Sequence, residues 1–151
     1  MLDDGDRAWN RAVEFSPNGQ IIAVAGYDKT IRLWNLQGTL MKTLTGHGSW
    51  VYGINFSPDG KLLASASGDK TIKLWQLDGS LLLTLVGHND WVFNVAFHPN
   101  NRQIASASAD GKVMLWTLQL ELKKLMRHGC DWAGLYLHNN IEVNDNDRKL
   151  C

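Results

Sequence analysis

An all-β fold of three consecutive four-stranded antiparallel sheets, with a short helical C-terminal tail, is what this 151-residue sequence predicts. Three observations carry that expectation: a fixed repeat period, a turn phrase that recurs in step with it, and β-branched and aromatic runs between the turns. Trp9, Trp50, Trp91 and Trp132 are each separated by 41 residues, and Trp34, Trp75 and Trp116 follow the first three by 25, so all seven tryptophans fall on two periodic series. Phe15-Ser16-Pro17-Asn18-Gly19, Phe56-Ser57-Pro58-Asp59-Gly60 and Phe97-His98-Pro99-Asn100-Asn101 recur at the same period, and Asp28, Asp69 and Asp110 stand six residues before each second-series tryptophan.

The second unit shows the elements in order. Residues 51–56 are a β-branched and aromatic run, and Pro58-Asp59-Gly60 is a turn signal that stops it. A second strand over 61–67 ends at the tight turn Gly68-Asp69-Lys70, and a third over 71–77 alternates Ile72 and Leu74 with polar neighbours. Asp78-Gly79 turns the chain into a fourth strand over 80–86, which Gly87-His88 breaks. The second strand is rich in small residues, Ala64-Ser65-Ala66-Ser67 and Ala105-Ser106-Ala107-Ser108. That suits a place where sheets converge toward the axis of a radial array; the alternative is a solvent-facing strand. The units divide the chain into 7–46, 47–87 and 88–127, leaving 128–151 as a tail. Asp131 as an N-cap, with Trp132, Leu135 and Tyr136 at helical spacing, reads there as a short helical cap on the last sheet.

Composition narrows the function classes. Fifteen basic and fifteen acidic residues give a formal charge of zero, which disfavours nucleic acid and anionic membrane, since both demand a dominant basic patch. Residues 1–6 are acidic where a secretory leader would be basic, and no apolar run approaches the ~20 residues of a membrane span. A cytoplasmic protein is expected, and two cysteines, Cys130 and Cys151, are too few for a secreted disulfide framework. His128, Cys130 and Cys151 lack the paired spacing of a structural zinc motif, so no metal and no cofactor are expected. A Cys130–Cys151 disulfide, their mutual packing, or plain unlinked thiols all stay open, and His98 and His138 read as surface residues.

The periodic phrases resemble the WD40 repeat family, whose unit of about 40 to 45 residues carries a Gly-His near one end and a Trp-Asp near the other. The likeness runs from Trp9 to about Leu125: Gly46-His47 and Gly87-His88 supply the first signature and Trp75 and Trp116 the second, although Asn35, Gln76 and Thr117 follow the tryptophans in place of Asp. The resemblance implies blades of a β-propeller and a hydrogen-bonded tetrad within each blade. Those roles fall on His47, Ser65, Asp69 and Trp75, and on His88, Ser106, Asp110 and Trp116. In the first unit Asp6 and Val24 occupy the His and Ser positions, so only Asp28 and Trp34 remain and that blade should be the least well pinned. A nucleophilic His/Ser/Asp reading, as in a hydrolase, competes with the structural one. The recurrence of the set at equal spacing suits scaffolding better, because a catalytic site is normally unique. No enzyme is expected.

Family members bind protein partners mainly on the face bearing the inter-blade loops. The matching positions are Trp9 and Arg11, Trp50 and Tyr52, Trp91 and Phe93, with Tyr27, Gly68 and Ala109 as third members. Packing between blades is the alternative role of the first-series tryptophans. Three blades cannot close a ring that normally needs about four to eight, so the chain is expected to be part of a longer protein, to associate with itself or a partner carrying the missing blades, or to stand as an open stub. The tail words Arg127-His128-Gly129-Cys130-Asp131-Trp132 and Asp147-Arg148-Lys149-Leu150-Cys151 look like the ends of large bacterial, notably cyanobacterial, WD-repeat proteins. In those the repeats often follow a signalling ATPase domain, which would lie outside this chain because no GxxxxGK[ST] loop is present. The expected function is a protein- or peptide-binding scaffold, with a regulatory part of such an ATPase as the second reading.

Overall fold

A computed structural model describes residues 9–118, all of whose regular structure is β. The first sheet comprises β1 (Asn10–Phe15), β2 (Ile21–Gly26), β3 (Ile31–Asn35) and β4 (Leu40–Leu44). The second comprises β5 (Val51–Phe56), β6 (Leu62–Ser67), β7 (Thr71–Gln76) and β8 (Leu81–Val86), and the third β9 (Val92–Phe97), β10 (Gln103–Ser108) and β11 (Val113–Thr117). Every strand pairs antiparallel with its sequence neighbour, so each sheet is a simple meander. The residues expected to give the third sheet its fourth strand, and the expected helical tail with His128, Cys130, His138 and Cys151, lie outside the described residues.

The repeated phrases act as turns. Ser16 and Ser57 accept the Gly19 and Gly60 amides at their carbonyls, and their hydroxyls accept the Ile21 and Leu62 amides at 2.9 Å. The third unit puts Asn101 where the others have glycine, at φ 60°, a left-handed conformation that asparagine tolerates. His98 replaces the serine there, and its Nδ1 accepts the Asn100 amide at 3.1 Å.

Two apolar layers hold the three sheets together. Ala23, Ala25, Ile31, Leu33 and Leu44 of the first sheet meet Val51, Ile54, Phe56, Leu63 and Trp75 of the second. One period later Ala64, Ala66, Ile72, Leu74, Leu83 and Leu85 meet Val92, Val95, Ile104, Trp116 and Leu118 of the third. Alternation along each strand thus sends every second side chain to the preceding sheet and the rest to the following one.

The line of convergence corrects the expectation drawn from the small residues. First strands, not second, lie innermost: β5 runs against both β1 and β9. Closest approach falls at Gly53, where a Cβ would stand 2.8 Å from the Phe93 carbonyl oxygen. The alanines of β6 serve a different need, keeping the second strand flat enough for the next sheet's Val92 and Val95 to seat on it. Asn55 stitches all three first strands together, donating from Nδ2 to Glu14 Oε1 at 2.8 Å and accepting the Phe97 amide at Oδ1 at 2.7 Å.

Candidate functional site

Each first strand contains an irregularity at the same repeat position. In β1 pairing jumps from Asn10 to Ala12, in β5 from Val51 to Gly53, and in β9 from Val92 to Asn94, so Arg11, Tyr52 and Phe93 are the extra, unpaired residues. Such a bulge re-aims a side chain that strict alternation would send elsewhere. Here it brings the bulged residue to the end of the sheet where the first-series tryptophan stands: Tyr52 meets Trp50 with ring centroids 6.4 Å apart.

Those rings join across the sheets. Tyr27 lies 5.8 Å from Trp9 and 4.6 Å from Trp50, Tyr52 lies 6.0 Å from Trp91 and 5.5 Å from Phe93, and Trp50 lies 6.5 Å from Trp91. The result is one aromatic ridge spanning all three sheets. Trp50 and Trp91 keep 42% and 46% of their surface exposed, whereas Tyr52 keeps 9% and acts as the floor between them. Burial, then the neighbouring Tyr27, push the Tyr52 hydroxyl above its usual range, with Arg11 opposing. The third members fix the tryptophan backbones: the amides of Tyr27, Gly68 and Ala109 donate to the carbonyls of Trp9, Trp50 and Trp91 at 3.0, 2.9 and 2.8 Å. At Gly68 a Cβ would lie 2.9 Å from Ser49 Oγ and 3.3 Å from the Tyr52 ring, so a side chain there, as Tyr27 and Ala109 have in the other units, requires Ser49 to shift.

Beneath the ridge, the tetrad positions come together in two sheets. His47 Nδ1 lies 2.7 Å from Asp69 Oδ2, His47 Nε2 2.7 Å from Ser65 Oγ, and Trp75 Nε1 donates to the same hydroxyl at 2.8 Å. A carboxylate only accepts, so Nδ1 carries the proton; Nε2 of the neutral ring then accepts from Ser65, which accepts from Trp75. His88, Asp110, Ser106 and Trp116 repeat the arrangement at 2.9, 2.8 and 2.7 Å. Asp69 also accepts the Gly48 amide at 2.9 Å, the Thr71 amide at 3.0 Å and the Thr71 hydroxyl at 2.6 Å, and Asp110 accepts the Asn89 and Lys112 amides, both at 2.9 Å. Each carboxylate therefore clamps the loop that leads into a ridge tryptophan.

Burial alone would raise both carboxyls. For Asp69 it is outweighed by hydrogen bonds from His47 and Thr71, the electrostatic pull of the His47 ring and the Gly48 amide, and for Asp110 by bonds from the Asn89 amide, His88 and the Lys112 amide, so both titrate far below the usual carboxylate range. Connectivity here is that of a Ser-His-Asp triad, but Ser65 is fully buried and its hydroxyl is committed between Trp75 and His47. No substrate carbonyl has access to it, which is the geometric requirement for nucleophilic use.

The first sheet is pinned by a device the repeat pattern did not reveal. Asp6 lies outside the described residues and Val24 is apolar, but Asp28 forms an ion pair with the nearly buried Arg32 and accepts the Thr30 amide and hydroxyl at 3.1 and 2.9 Å. Arg32 occupies the position of Lys73 and Met114, and an arginine there beside a missing serine was the available signal.

Among the described residues no group of three His, Cys, Asp or Glu side chains could hold a metal ion, and no buried polar side-chain atom lacks a partner. A shallow hollow of about 470 Å³ on the first sheet, lined by Gln20, Ile21, Asn35, Leu36, Gln37 and Met41, contains no ionisable side chain. No helix among the described residues is long and apolar enough to cross a membrane.

Comparison with known proteins places this geometry. The model of the family "WD domain, G-beta repeat" matches residues 11–35, 38–76 and 79–117. WD repeat domain-containing protein 83 of Homo sapiens is 50% identical over 48 residues, which is 31% of this chain and 15% of that protein. Its Danio rerio counterpart is 46% identical over 39 residues, 25% of this chain and 12% of that protein. The solved structures described as "Structure of U3-55K" and "Crystal structure of RRP9 WD40 repeats" each superpose with a TM-score of 0.73 at 30% identity, covering 77% of this chain and 38% and 37% of theirs. The matched region is thus well under half the length of these proteins. The curated relatives are eukaryotic, and neither they nor the matched family support the bacterial likeness or the ATPase context expected from the tail.

Proposed function

Because the chain belongs to the WD40 repeat family, we propose that it is a non-catalytic interaction module that holds a protein or peptide partner along the Trp9–Tyr27–Trp50–Trp91–Phe93 ridge. The ridge itself carries this reading: three bulges at one repeat position aim side chains at a continuous aromatic surface that stays half exposed. Trp and Tyr bring large rigid contact area at low entropic cost, and they dominate the energetics of interfaces. A protein partner fits better than nucleic acid, since the chain is formally neutral. A cytoplasmic setting belongs to the same reading, supported by a content of only two cysteines.

Peptides selected from a displayed library on the wild-type chain supply the test. Trp50→Ala and Trp91→Ala should each weaken their binding about tenfold or more while leaving the thermal transition in place. Unchanged affinity would move the binding surface elsewhere, and loss of the folding transition would make the tryptophans core residues.

A further inference from the structure

The outer faces of the three-sheet stack are a matched pair. On the second sheet, the face toward the third is built by Ala64, Ala66, Ile72 and Leu74, all fully buried. One period onward the same positions on the third sheet are Ala105, Ala107, Val113 and Leu115, and there Val113 is 77% and Leu115 54% exposed. In the other direction, Ile54, Phe56 and Trp75 are the buried residues that the second sheet turns toward the first. One period back stand Val13, Phe15 and Trp34, with Val13 67% and Phe15 60% exposed and Trp34 already buried at 4%. These side chains are not apolar residues scattered singly over a surface. They occupy, position for position, the two halves of a contact this chain already makes twice.

We propose that the last face of one copy docks onto the first face of a second copy, repeating the packing seen between consecutive sheets. Continuity with the existing interfaces argues for it. The third sheet offers the alanine, β-branched and leucine set that Val95, Ile104 and Trp116 accept from the second sheet, and the first sheet offers Val13 and Ile22 at the positions of the first two acceptors, with the buried Trp34 behind them at the third. Asn10 departs from the pattern, standing where Val51 and Val92 are buried, at the ridge end of the inner strand, and Val24 departs from it in the apolar direction, standing where Ser65 and Ser106 are buried. A formal charge of zero leaves no net repulsion between copies. The contact is heterologous, joining two different faces, and such contacts close into a ring when the rotation permits. The described sheets of two copies number six, within the range of about four to eight that closes a propeller. The inference is independent of the aromatic ridge, which lies on the loop end and not on the stacking faces.

The mass of the full chain in solution tests it. Sedimentation equilibrium from about 1 to about 100 µM should show a mass that rises to, and levels at, twice the 16.9 kDa of one chain. Val13→Asp and Val113→Asp should each weaken the association roughly a hundredfold without altering the far-ultraviolet spectrum, because both residues face solvent in the single chain. Leu115→Lys repeats the test on the last face should Val113→Asp fail to fold. Mixing the two aspartate variants should restore pairing, since a mixed pair contains one unaltered contact. A mass of one chain throughout the range, as when residues beyond 118 cover the last face of their own chain, overturns the proposal. So does a mass that climbs past two copies, or a doubled mass that survives all three substitutions.

Discussion

Asp69→Asn isolates the chemistry that fixes the loops under the ridge, because it removes a charge and reverses one hydrogen-bonding direction with almost no change of shape. The amide oxygen can keep both Thr71 bonds at 3.0 and 2.6 Å, while the NH₂ group replaces the oxygen that faces His47 Nδ1 at 2.7 Å and the Gly48 amide at 2.9 Å. Gly48 is exposed and turns to water at little cost, but the His47 side chain is 1% exposed and has no such recourse. The loss therefore concentrates on one charge-assisted bond, worth about 1.5–3 kcal/mol. The ring can recover part of it by moving its proton to Nε2 and accepting at Nδ1 from the introduced NH₂ group. Ser65 Oγ then receives two N–H donors, and its own hydroxyl is left with the Lys73 carbonyl at 3.4 Å, a poor bond. A net cost of about 2 kcal/mol, or roughly 10 °C in melting temperature for a domain of this size, is expected at neutral pH.

Acid supplies the control. The Asp69 carboxyl is held far below its ordinary range in the folded chain, so its contribution is fully present above the unfolded value near 4 and is lost as pH falls below that toward the folded value. Urea unfolding from pH 7 down to about 3 should show the wild-type and Asp69→Asn curves converging below pH 4, and long-range ¹⁵N correlation of the imidazole should report the tautomer change at neutral pH. A difference under about 0.5 kcal/mol at pH 7, or one that stays constant into acid, would refute the clamp.

The remaining expectations use the repeats as their own controls. Arg32→Met should cost about 2–3 kcal/mol by stranding Asp28, whereas Lys73→Met at the same repeat position, where the third unit already has Met114, should fall within about 1 kcal/mol in the same denaturant assay. Gly53→Ala should destabilise by about 1–3 kcal/mol because its methyl group meets the backbone at the Phe93 carbonyl and the Asn94 Cα, which cannot swing aside as the Asn94 side chain can. Gly111→Lys should be far milder, about 1 kcal/mol, since open space surrounds it and lysines already adopt the same left-handed conformation at φ 70° and 72° in the other two units.

The parts of this structure that are legible in the sequence are those encoded at fixed offsets. The tetrads join residues 22, 18 and 10 apart, and because each turn keeps its length those offsets bring the same atoms together in two sheets. Strands and turns are legible for the same reason, alternation and turn residues being local. Arg32 escapes such a reading because its partner Asp28 belongs to a turn whose other two copies use histidine, so the period itself points away from it. The bulges at Arg11, Tyr52 and Phe93 exist only once two strands are paired, and only the one in β5 has a glycine, Gly53, beside it; Ala12 and Asn94 stand there in β1 and β9. Small residues point to the wrong innermost strand because convergence is only one of the needs they meet. A single glycine meets that need, while the alanines of β6 answer the bulk of the neighbouring sheet.

In the first-series tryptophans, packing and the proposed binding rest on one arrangement. Trp50 touches Tyr27 of the preceding sheet and Trp91 of the following one, its carbonyl is fixed by the Gly68 amide, and its loop is clamped through Gly48 and His47 to Asp69. Those contacts leave 42% of it facing solvent. A free side chain at an interface forfeits about 0.5–1.5 kcal/mol of conformational freedom when a partner immobilises it. A ring already held on two sides and from below forfeits little of that on binding, and the cost has been met in folding. Trp91, packed against Trp50 and Tyr52, would offer a partner apolar area on similar terms. The same reasoning explains why the tetrads lie beneath the ridge and not at the far end of the sheets: the buried hydrogen bonds that keep His47 and His88 in place hold still the surface a partner would meet.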